Sequence, residues 1–123
     1  MEDIKSQIWN KASKIDNLDS NMFRKDPCGA IIAWGQYNQP NAPFAWGIDH
    51  IFPISKGGDD NPENLRAMHL RNIEAKGDSY PNYTSAVIMD RTDNKSCNKD
   101  FVVNKDKQQI LANLYPQAHQ TND

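Results

Sequence analysis

Between residues 53 and 62 the chain reads PISKGGDDNP, with a proline at each end, two adjacent glycines and three consecutive Asp and Asn residues. No helix or strand runs through such a stretch, because proline has no N–H to donate and glycine and Asx residues favour turns. It is expected to form a long, shaped loop, and that loop limits what its neighbours become. Phe44 to Ile51 before it and Asn64 to Met68 after it read as strands. His69 to Ala75 carries helix-forming residues and stops at Gly77, a good C-terminal cap. Strand, loop, strand, helix is therefore the expected order over residues 44–77.

Around this unit the pattern is weaker. Ile4, Ile8, Ala12 and Ile15 share one face of a helix expected over residues 4–15. The stretch from Asn17 to Gly29 reads as loop, Ala30 to Trp34 as a short buried strand, and Gln36 to Pro43 as a second loop. From residue 84 to the end, a weak strand pair is expected around Ala86–Met89 and Phe101–Asn104. An amphipathic helix follows near Lys105 to Leu114, with Ile110, Leu111 and Leu114 on its apolar face. Pro116 ends that helix, and the tail beyond it is expected to fray.

A chain of 123 residues fits one domain, and at 37% hydrophobic and 24% charged residues it is polar but able to bury a core. No apolar run approaches the roughly 18 residues needed to cross a bilayer, and no secretory leader precedes the first helix, so a cytoplasmic protein without membrane contact is expected. Cys28 and Cys97 form no C-x-x-C pair, which leaves reduced thiols as the plain reading and makes a zinc-stabilised structural domain a poor one. A net charge of −2 excludes coating of nucleic acid by a generally basic surface, so any DNA contact must be local.

Residues 49 to 76, DHIFPISKGGDDNPENLRAMHLRNIEAK, hold the chemistry. Asp49 offers a hard oxygen ligand beside His50, a neutral imidazole able to take a proton near pH 7. Such a dipeptide alone is usually an ordinary surface or core pair. Here it begins D-H-I-x-P, continues through Gly57-Gly58, reaches Asn64-Leu65 fourteen residues after the histidine, and ends on Lys76-Gly77. This arrangement resembles the HNH endonuclease signature. Trp9, Lys11, Ala12, Phe23 to Asp26, Cys28 to Ala30, Trp46, Ile48, Gly77-Asp78 and Tyr80-Pro81 extend the resemblance to small bacterial and phage HNH proteins without zinc knuckles, over residues 9 to 84.

The resemblance implies an α+β fold with a ββα-metal (His-Me finger) core and flanking N- and C-terminal helices. It implies DNA as partner, and hydrolysis of its phosphodiester bonds to 5′-phosphate and 3′-hydroxyl ends. His50 would be the general base, and Asp49 would hold one divalent cation, Mg²⁺ or Mn²⁺. Asn64 would tie down the long loop and orient the histidine. Arg66, Arg71 and Lys76 would contact phosphates, against the plain reading of a solvated face.

Two positions depart from the family. Ile73 stands where the last metal ligand is an asparagine or histidine, and Gly47 stands where many relatives carry a glutamate. Asn72 or His69 would then have to supply the missing ligand. The alternatives are a catalytically weakened nuclease and an HNH-fold module kept for binding nucleic acid or protein. Trp9, Trp34 and Trp46 read as core rather than base-stacking residues, Tyr80 to Tyr83 as a cover for the helix end, and His119 as part of the polar tail.

Overall fold

The computed structural model describes residues 3–119. Among these, three α-helices and four two-stranded antiparallel sheets make an α+β fold. None of the described helices is long and apolar enough to cross a membrane.

Helix α1 (Ile4–Lys11) starts where the Asp3 carboxylate accepts the Ser6 N–H at 2.8 Å. It ends four residues short of the expected Ile15. Ser13 and Lys25 exchange backbone hydrogen bonds at 2.8 and 3.2 Å, and Arg24 takes the carbonyls of Asn10 and Ala12 at 3.1 and 2.9 Å. Those partners capture the backbone that a further turn would have used. The buried face is also rotated, with Ile8 and Trp9 inside and Ile4 exposed. Strand β1 (Phe23–Lys25), which falls in the segment expected to be loop, pairs with β2 (Ile31–Ala33).

Strands β3 (Trp46–His50) and β4 (Leu65–His69) pair from Trp46↔His69 to His50↔Leu65. Because successive side chains in a strand alternate, the register sends Trp46, Ile48 and His50 to one face and Gly47 and Asp49 to the other. The connecting loop holds 3₁₀ turns at Ile54–Lys56 and Pro62–Asn64. Both of its glycines are required. Gly57 sits at φ +112°, and a Cβ on Gly58 would lie 2.0 Å from the Phe52 carbonyl oxygen. Helix α2 (Leu70–Lys76) leaves β4 directly, with His69 as N-cap and Gly77 as C-cap.

The C-terminal part departs from expectation in its pairing. Strand β6 (Val87–Asp90) pairs with β7 (Asp93–Ser96) through the two-residue turn Arg91-Thr92, and β8 (Asp100–Val102) pairs with β5 (Asn82–Thr84). A local hairpin closes β6 more readily than a partner fourteen residues away. Helix α3 (Lys105–Leu114) has the expected bounds, but only Leu111 of its three apolar residues is buried. The tail packs as far as His119, whose ring lies 4.6 Å from that of Phe52, and residues 120–123 lie outside the described residues.

The core divides across the β3–β4 hairpin. One cluster gathers Ile8, Trp9, Ile32, Trp46, Leu65 and Ala67 beneath α1. The other gathers Cys28, Ile51, Phe52, Met68, Tyr83, Val103 and Leu111, with Ile73 of α2 packed on it. Trp9 and Trp46 are core residues and Trp34 packs partly buried against them, with ring centroids 5.1 to 5.9 Å apart.

Candidate functional site

His50 ends β3, and its ring is a quarter exposed. Its Nε2 lies 2.7 Å from Oδ1 of Asp60, a loop residue that the sequence presents only as one more turn former. In the neutral ring, a carboxylate partner places the proton on Nε2 and leaves Nδ1 as the lone-pair nitrogen. Nδ1 has no hydrogen-bond partner among the described residues. Asp60 was legible only as an acid ten residues after the histidine.

Asn64 fastens the loop. It is fully buried; its Oδ1 accepts the Phe52 N–H at 2.7 Å, and its Nδ2 donates to the carbonyls of Phe52 and Asp59, each at 3.0 Å. The Ile51 N–H adds a bond to the Asn64 carbonyl at 2.8 Å. These bonds clamp both ends of the loop where it leaves His50. On the far side Tyr115 donates its hydroxyl to Asp59, and that bond holds the Asp59 carboxyl below the ordinary carboxylate range.

Asp49 lies on the opposite face and is buried. Arg66 Nε donates to its Oδ2 at 2.8 Å, and Lys76 Nζ stands 3.4 Å from its Oδ1. Lys76 is 1% exposed and also donates to the His50 carbonyl at 3.1 Å. Burial lowers the Lys76 pKa from its ordinary value, and the Asp49 charge works in the other direction. Lys76 is therefore enclosed as a partner of Asp49 and is not open to phosphates, whereas Arg66 pairs with Asp49 through Nε alone. Arg71 is exposed.

Neither substitute metal ligand is free to serve. Asn72 is fully buried and uses both ends of its amide: Nδ2 donates to Asp26 Oδ2 at 3.0 Å and to the Val87 carbonyl at 3.1 Å. Its Oδ1 accepts the N–H groups of Ala86 and Val87 at 2.7 and 2.9 Å. His69 accepts the Arg71 N–H on Nδ1 at 3.1 Å and donates from Nε2 to the Pro43 carbonyl at 2.9 Å. Both residues lock the start of α2 to its surroundings. Sequence reasoning missed the hub of this network, Asp26, whose carboxylate accepts from Cys28, Ala30, His69 and Asn72.

The two departures from the resembled pattern lie near each other. A Cβ on Gly47 would stand 2.8 Å from Leu70 Cδ2 and 3.5 Å from Ile73 Cδ1, so the missing side chain on β3 makes room for the apolar ones on α2. Where a glutamate and a last metal ligand are expected, Leu70 and Ile73 stand instead, with Asn38 Oδ1 at 3.1 Å from the same Cβ position. The residues beside Asp49 thus do not fit a divalent cation, which requires several oxygen ligands, whereas the carboxylate here faces two cationic nitrogens. No three His, Cys, Asp or Glu side chains among the described residues gather as a metal-binding group.

No protein-family model, curated protein or solved structure matches the chain.

Proposed function

We propose that this chain is an HNH-type phosphodiester hydrolase of low turnover acting on DNA, with residues 44–77 as its ββα-metal core. The observation that carries the reading is the imidazole of His50, held by Asp60 through Nε2 beside a loop that Asn64 fastens, with Nδ1 left open. His50 Nδ1 takes a proton from water, the hydroxide forms a bond to phosphorus, and the bond from phosphorus to the 3′ oxygen breaks. The 3′ oxygen leaves protonated by solvent, and the new end carries a 5′-phosphate. A general base contributes about 10²–10⁴-fold to such a step. Asp60 and Asn64 are positioning residues. Low turnover follows from the closed Asp49 side, where Arg66, Lys76 and Ile73 occupy the surroundings of the carboxylate.

A second reading, a DNA-binding module on the same scaffold, is favoured by the surroundings of Asp49, which do not fit a divalent cation. Supercoiled plasmid incubated with the purified protein and Mg²⁺, Mn²⁺ or EDTA separates the two. Slow nicking that His50→Ala reduces about a hundredfold is expected. A wild-type protein that shifts DNA in a gel but nicks none under any of the three conditions rejects the hydrolase and leaves the binding module.

A further inference from the structure

Beside the β3–β4 hairpin lies a cavity of about 410 Å³ whose lining includes Lys11 of α1, Arg66 of β4 and Lys107 of α3. Three elements distant in sequence thus bring three cations to one place, in a chain whose net charge is −2. Each cation is held in place and still has a donor to spare. Lys11 Nζ spends two of its three N–H groups on the carbonyls of Pro62 and Leu65, at 2.8 and 3.2 Å. Lys107 Nζ spends two on Glu63, one to its carbonyl and one to its carboxylate, both at 2.9 Å. Arg66 gives Nε to Asp49, while its buried Nη2 has no hydrogen-bond partner.

The local charge does not balance. Asp49 serves Arg66 and is shared with Lys76, and Glu63 serves Lys107 and lies near Lys11, so the three cations that line the cavity have only these two carboxylates between them, one of which is shared. Lys11 is lowered from its ordinary pKa by burial and by the neighbouring charge of Lys107. Asn104, the N-cap of α3, also lines the cavity and brings the positive end of that helix to it. Cations with unspent, pre-positioned donors are complementary to an anion with several acceptor oxygens, and a phosphate group is that anion in the chemistry of DNA.

We infer that Lys11, Arg66 and Lys107 form a phosphate subsite that takes a backbone phosphate of bound nucleic acid. The inference rests on the proposed action on DNA and adds the place where the duplex is gripped. Leu65, which also lines the cavity, pairs with His50 across the hairpin, so the subsite lies at the His50 end of β4.

Inorganic phosphate and a short DNA duplex are the probes. In amide NMR, phosphate is expected to shift Lys11, Leu65 and Asn104, and Lys11→Gln with Lys107→Gln to remove those shifts. The slope of log affinity for the duplex against log salt should fall by about one for each lysine removed. Lys105→Gln, at an exposed lysine that does not line the cavity, should change neither. An unchanged slope in the double variant, or phosphate shifts confined to other residues, overturns the subsite. Plasmid nicking that depends on His50 would survive that outcome. Phosphate and duplex binding with no nicking would overturn the hydrolase and leave the subsite standing.

Discussion

Asp49 and His50 are neighbours in one strand, yet they occupy two kinds of environment. On the α2 face of the β3–β4 hairpin, Asp49, Arg66, Lys76, Asn72 and Asp26 are buried or nearly so, and their hydrogen-bonding groups are largely spent on one another. On the loop face, His50 keeps one ring nitrogen open, and its partner Asp60 stands in solvent. A polar network that is satisfied and buried specifies structure, and a polar group left open at the end of a fixed strand is available for chemistry. The same hairpin supports both because alternation puts them on opposite sides.

Substitutions can break this contrast, and the largest effect should come from the closed face. Asp49→Ala strands two cations inside the protein and should cost about 3–5 kcal/mol of unfolding free energy in a denaturant titration. A loss below about 1 kcal/mol would mean that the Arg66 and Lys76 pairing is not structural. Asn72→Ala removes four hydrogen bonds and orphans the Ala86 and Val87 N–H groups, so a loss of roughly 2–3 kcal/mol is expected. If Asn72 were instead a cation ligand, that variant would keep its stability and lose Mn²⁺ affinity.

The open face should answer in activity alone. His50→Ala is expected to shift stability by no more than about 0.5 kcal/mol while reducing nicking about a hundredfold. Asp60→Asn should give a smaller loss of nicking and broaden its pH profile, since the amide no longer fixes which ring nitrogen carries the proton.

The smallest effect is a pH dependence from the closed face. Burial lowers the His69 pKa from 6.5, while the bond to Pro43 works the other way. Below about 6.5 the unfolded chain takes up a proton that the folded imidazole resists, so stability is full above that value and declines as pH falls through the window beneath it. His69→Gln should flatten the decline. A stability profile that rises with acidification would contradict the assignment.

Local chemistry made the central unit legible. The proline and glycine placement announced the loop, and Gly77 announced the end of α2, because caps and turns depend on residues a few positions apart. Asn64 belonged to the same category, since its partners Phe52 and Asp59 lie within the loop it closes. Strands of three residues such as β1, β5 and β8 carry too little periodicity to be read. The roles of Asn72 and His69 were hidden because their partners, Asp26, Val87 and Pro43, come from distant segments. Gly47 and Ile73, which looked like two separate departures, lie near each other, since a Cβ on Gly47 would come within 3.5 Å of Ile73 Cδ1.

The three indoles stand together on the α1 side of the hairpin, and Lys5 Nζ lies 4.1 Å from the centre of the Trp34 ring. Intrinsic fluorescence is therefore a reporter of that half of the molecule. The part built from β5, β8 and α3 contains tyrosine and phenylalanine but no tryptophan, so a partial opening there would pass unseen in an emission-monitored melt and would need circular dichroism or hydrogen exchange to detect.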